Sequence, residues 1–148
     1  MTELKHQITI NAPKDKVFSV LANLDEVQHY NPGVKAAKYI SENKQGVGAA
    51  RECNLGKEGI VRERITGFKQ DDFVAMELYE HSWPIKFMRW TSKVAPAGNA
   101  TQITQTLEYK MKFGVLGSIL NMLILKRKLN QSMSTIFESL KKYVENKP

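Results

Sequence analysis

From Val115 to Glu145 the chain runs without a proline and with no glycine beyond Gly117. At ~1.5 Å rise per residue, such a run makes a helix of about 45 Å, longer than the usual three or four turns. A rod of that length requires a surface to lie on. Leu116, Leu120, Leu123, Met133, Phe137, Leu140 and Val144 recur mostly at three and four, which gives it one apolar stripe. Nearly everything upstream reads as strand, so the surface is a sheet. A long terminal helix held by a curved antiparallel sheet leaves space between the two, and that space is the first place to look for function.

The strands follow from alternation and turn chemistry. Leu4, His6, Ile8 and Ile10 alternate with polar residues and predict an opening strand with one buried face. Asn11 to Pro13 stops it. Asn11 or Ala12 is placed to cap a short helix with Pro13 in its first turn, and Val17, Phe18, Leu21 and Leu24 form its stripe, ending near Asp25. Residues 26–33 read as a half-helical turn and a loop broken by Pro32 and Gly33. Strands are then predicted over 34–41, 49–55, 59–68, 73–81, 85–95 and 100–112, with short Gly-, Asn- and Asp-bearing connections that imply antiparallel neighbours. The order predicts an α+β fold in which the first strand closes beside the last and the long helix covers the concave face.

The 148 residues suit one domain, with no linker or repeat to divide them. A lone cysteine, Cys53, allows no internal disulfide and favours a reducing compartment. The first residues lack a basic-then-apolar signal pattern, and Val115 to Leu125 is too short to span a bilayer, so the expected location is the cytoplasm. The net charge of +7 attracts acidic partners in general. Its concentrated run, Lys126, Arg127 and Lys128, follows the most apolar helical stretch and is not interleaved with stacking aromatics, which argues against nucleic acid. His6, His29 and His81 are scattered without metal-ligand spacing, so neither a metal nor another cofactor is expected.

Several segments in this order resemble the START-like helix-grip superfamily, and within it the polyketide cyclase/dehydrase and lipid-transport family. They are Ile10 to Pro13 with Val17, Phe18 and Leu21; Tyr30 to Val34; Gly48 to Cys53; Arg62 to Thr66; Trp90; and Leu140 to Glu145. The resemblance covers essentially the whole chain, with one departure at Tyr30, where members often carry tryptophan. It implies a curved seven-stranded antiparallel sheet around the C-terminal helix, with two short helices after the first strand. It also implies a deep apolar cavity, used across the superfamily for lipids, sterols, polyketides, quinones or plant hormones. Few relatives resemble enzymes.

The most pointed polar residue is Glu63, which shares strand parity with Val61 and Ile65 and therefore faces inward, where an unpaired carboxylate is costly. If residues 56–58 form a three-residue hairpin loop, Arg51 faces Glu63 and Cys53 faces Val61; a two-residue slip would set Cys53 against Glu63 instead. The Arg51 and Glu63 pair is read as a polar anchor for an apolar ligand, as an acid for a cyclisation centred on Glu63, or as an ion pair in a pocket wall. Trp90, Gln105, Tyr109, Leu120, Leu123 and Phe137 are the expected cavity lining. Cys53 reads as a buried thiol with no base placed to activate it.

The segment 115–125 is apolar at nearly every angle, so Val115, Ile119, Met122 and Leu125 can face solvent. With Lys126, Arg127 and Lys128 behind it, this layout suits contact with an anionic membrane; cover by the loops around Tyr30 and Trp83, or by a second copy, is the competing reading. Three functions fit these residues: a carrier or sensor of a small hydrophobic molecule, a cyclase or dehydratase, and a protein-interaction module whose grip is filled with side chains. The residues leave the ligand and the oligomeric state open.

Overall fold

The structure, a computed structural model, describes residues 1–112 and 119–148, excluding the side chains of 119–121. Strand β1 (Thr2–Ile10) leads to α1 (Lys14–Ala22), a 3-10 turn at Leu24–Glu26 and the one-turn α2 (Val27–Tyr30). Strands β2 (Ala36–Tyr39), β3 (Ala50–Asn54), β4 (Ile60–Lys69), β5 (Phe73–Glu80), β6 (Ile85–Ala97) and β7 (Ala100–Met111) follow, and α3 (Ile119–Asn146) closes the chain. Pro13 stands just before α1 with no side-chain cap there; neither Asn11 nor Ala12 takes that position.

All seven strands pair antiparallel in the order β1-β7-β6-β5-β4-β3-β2, so the first strand does close beside the last. Register shifts in β4–β5, at Arg62/Glu63 and Ile65/Gly67, and in β6–β7, at Ile85/Phe87, bend the sheet as bulges do. The last of these lets both Ile85 and Met88 face inward although they are three residues apart. Strand β2 is shorter than the 34–41 expected, since Val34 is held by the turn bond from its N–H to the Asn31 carbonyl.

The core gathers where α1, α3 and the concave sheet meet, around Ile10, Val17, Phe18, Leu24, Ile65, Ile103, Leu140 and Val144. Phe18 and Phe68 meet edge to face at 5.5 Å. The buried Thr101 hydroxyl donates to the Ala12 carbonyl at 2.8 Å and ties β7 to the entrance of α1.

Helix α3 is anchored along its C-terminal half, with Met133, Phe137, Leu140 and Val144 buried. Glu145 accepts from the Asn11 backbone N–H at 2.7 Å, Lys141 donates to the Thr9 carbonyl at 3.0 Å, and both Tyr143 and Lys147 donate to Glu26. Its N-terminal half differs. Met122, Leu123 and Ile124 are 40%, 58% and 55% exposed. The expected helix start at Val115, and the side chains of Val115, Leu116, Ile119 and Leu120, lie outside the described residues. No helix among the described residues is long and apolar enough to cross a membrane.

Candidate functional site

Between the concave sheet and α3 lies a cavity of about 490 Å³, within the ~300–1,000 Å³ usual for small-molecule sites. Most of its wall is apolar, from Val61, Val74, Met76, Leu78, Met88 and Leu107 on the sheet to Leu125, Leu129, Ile136 and Phe137 on the helix. Its polar groups are few and cluster.

The main cluster is set by a hairpin. Gly56 and Gly59 take positive φ of 67° and 93°, which permits the tight turn, and the Leu55 N–H closes it on the Gly59 carbonyl at 2.8 Å. From there the register pairs Cys53 with Val61 and Arg51 with Glu63. This is the register expected from the three-residue loop, not the slipped one. The Arg51 Nε–H donates to Glu63 Oε1 at 2.7 Å, and its Nη1 donates to the Leu24 carbonyl at 3.0 Å. The two side chains are only 6% and 15% exposed, so solvent screens the pair weakly.

Burial opposes the charge on Arg51 most strongly, but the Glu63 charge and hydrogen bond, together with Tyr30 and Cys53, hold the guanidinium above its ordinary range. Burial, with Glu63 adding to it, pushes the Cys53 thiol up to about 12. Cys53 therefore stays a neutral thiol, directed at Glu63 Oε1 at 3.7 Å, and is no nucleophile near neutral pH. Burial likewise raises the Tyr30 phenol, which remains protonated beside Arg51. One end of the cavity thus presents a guanidinium, a carboxylate and a phenol.

A second polar point lies on β6 and β7, where the Gln105 Nε2–H donates to Ser92 Oγ at 3.0 Å. Ser92 was not among the expected lining residues, although it shares parity with Trp90 and Val94, the signal that would have found it. The mouth is framed by Trp83 and Pro84 from the β5–β6 loop, Asn31 and Gly33 after α2, Glu58 in the β3–β4 turn and Lys128 on α3. Trp83 Nε1–H donates to the Glu58 carbonyl at 3.3 Å, and Lys128 Nζ stands 3.9 Å from the Glu58 carboxylate across the opening.

Of the expected site residues, Arg51, Glu63, Trp90, Gln105 and Phe137 line this cavity. Tyr109 does not. Strand β7 carries it beyond Gln105 and Leu107 to a separate recess of about 250 Å³ shared with Thr2, Lys86, Lys110 and Met122. Leu123 does not either. The cavity-facing steps of α3 run Leu125, Leu129, Ser132 and Ile136, and Leu123 is two residues before Leu125, about 200° around a 3.6-residue helix. Leu120 is outside the described side chains. Met122 faces solvent as expected, whereas Leu125 turns to the cavity. Lys126 and Arg127 are exposed and away from the lining, and Lys128 reaches its rim. Tyr30 and Trp83 line the cavity and its mouth, and neither covers Met122, Leu123 or Ile124. Among the described residues no cluster of side chains fits a metal ion.

The fold is shared widely among solved structures. The ZhuI aromatase/cyclase from Streptomyces sp. R1128 superposes with a TM-score of 0.82 at 16% identity, over 97% of this chain and 93% of that one. A START superfamily protein from Mycobacterium smegmatis gives 0.79 at 12% identity, covering 97% of each chain. TTHA0849 from Thermus thermophilus gives 0.78 at 17% identity, again over 97% of each. No curated protein matches the chain in sequence. The family model for polyketide cyclase / dehydrase and lipid transport matches residues 1–145, and the fold, the cavity and this match together make the chain a member of that family.

Proposed function

We propose that the protein holds one small, predominantly apolar molecule between sheet and α3, as a carrier or sensor, and grips a neutral polar group of that molecule between Arg51, Glu63 and Tyr30. The observation that carries this reading is a buried, mutually neutralised charge pair in the wall of an otherwise apolar cavity. A hydroxyl or carbonyl meets a donor and an acceptor there. A carboxylate meets the Glu63 charge at a site whose positive partner is already engaged. The engagement of Glu63 by Arg51 also suits holding better than proton exchange. A cavity of this volume is at odds with a grip filled by side chains.

The reading is tested by titrating the protein with dodecanol and dodecanoate, two chains of matched length, below their aggregation limits. The alcohol is expected to bind one to one and at least about tenfold more tightly, a difference of ~1.4 kcal/mol. Equal affinities, or preference for the acid, would remove the Arg51–Glu63–Tyr30 anchor from the proposal. Binding of neither would remove the ligand itself.

A further inference from the structure

The N-terminal half of α3 holds large apolar side chains, Met122, Leu123 and Ile124, that the described residues leave exposed. Met122, Leu123 and Ile124 are consecutive, so at ~100° per residue they project in three directions, unlike the single stripe with which a helix fits a protein groove. The next turn carries Lys126, Arg127 and Lys128, all exposed. Lys86 and Lys110, also exposed, share the small recess with Met122 and bring further positive charge to the patch. Between Glu108 and Glu138 the sequence has no acidic residue and five basic ones. The same helical turns form the rim of the cavity through Leu125, Lys128 and Leu129.

We infer that this patch docks the protein on an anionic lipid bilayer with the cavity mouth beside the membrane. Apolar residues at the tip of a basic helical segment match a surface with an apolar interior under negative headgroups, which imposes no register and accepts side chains from several directions. An acidic protein would satisfy the lysines but would need a pocket for each apolar side chain. Placing Leu125 and Leu129 at the rim gives a lipophilic molecule a path from bilayer to cavity that does not cross water. The docking surface is independent of the ligand reading, since Leu123 and Ile124 do not line the cavity.

The test is cosedimentation of the full chain with phosphatidylcholine vesicles, with and without phosphatidylserine. Binding is expected only when phosphatidylserine is present, and it should weaken as salt is raised. Changing Lys126, Arg127 and Lys128 together to Gln should reduce it roughly a hundredfold, at about a fivefold loss per basic residue. Leu123→Ser with Ile124→Ser should also abolish it, while both variants keep the wild-type melting profile because the altered residues are exposed. Dodecanol uptake by the Leu123→Ser, Ile124→Ser variant should be unchanged, which separates failure of docking from failure of the cavity. Absence of binding to phosphatidylserine vesicles, or binding unaffected by either variant, would overturn the inference. So would a dimer in sedimentation velocity that this serine variant dissociates while vesicles are ignored, because the patch would then serve a second copy.

Discussion

Replacing Arg51 by methionine is expected to cost about 3–5 kcal/mol of folding stability, among the largest losses available from a single side chain in this molecule. The methionine fills much of the same space but leaves the Glu63 carboxylate facing an apolar cavity, and it strips the Leu24 carbonyl of its donor. The companion double variant, Arg51→Met with Glu63→Leu, should recover most of that loss, since removing both charges leaves neither one desolvated and unpaired. Urea unfolding measures this directly as a fall in midpoint at unchanged slope, reversed in the double variant. A loss below about 1 kcal/mol in the single variant would mean that water screens the pair as it does on an open surface. The double variant should also lose the preference for an alcohol over an acid, tying the pair to recognition as well as to folding.

Filling the hollow gives the second large effect, and here the signs of two measurements oppose each other. Leu129 and Ile136 border the cavity from α3 and are only partly buried, so larger side chains there have room to enter it. Leu129→Trp with Ile136→Trp is expected to weaken dodecanol binding by roughly a hundredfold or more, about 2.7 kcal/mol, because the added rings take the volume the ligand needs. Stability should hold or rise, as empty space is converted to contact. In a solidly packed junction the same substitutions would overpack it, at ~1–3 kcal/mol each. Loss of stability at that level would therefore contradict the cavity, whatever became of ligand binding.

Much of this site was legible before any coordinates. Inward parity singled out Glu63, and a three-residue loop over 56–58, one of two registers the residues left open, is the one that brings it to Arg51. Both inferences rest on strand periodicity, which is local. Trp90 and Gln105 were accessible by the same route. Tyr109 was not, because parity says which face a residue is on but not how far along the strand the cavity extends. Leu123 failed for a related reason. The buried stripe of α3 is set by where the sheet lies beneath it, and a helical stretch that is apolar all round offers no cue to its orientation. The Leu24 carbonyl that completes the Arg51 site was beyond sequence reading altogether, since a backbone acceptor carries no residue signature.

The position of that carbonyl also explains why the short helices after β1 matter to the site. Leu24 is fully buried and begins the 3-10 turn that leads into α2, and Tyr30 ends α2 at the cavity wall. Glu26 in the same segment is gripped by Tyr143 near the far end of α3 and by Lys147 just beyond it. One short stretch thus supports the polar anchor and clamps the helix that roofs the cavity, so the C-terminal half of α3 is fixed while its other half reaches the mouth.

A ligand-sized space under α3 underlies both the proposed binding and its loss on filling, and native mass spectrometry of the purified chain probes that space. A discrete adduct of one small molecule on the 16.9 kDa chain, released on activation, or one-to-one uptake of added dodecanol is expected, with neither seen in the Leu129→Trp, Ile136→Trp variant. A spectrum showing only the bare chain, unchanged by excess dodecanol, would contradict such a space.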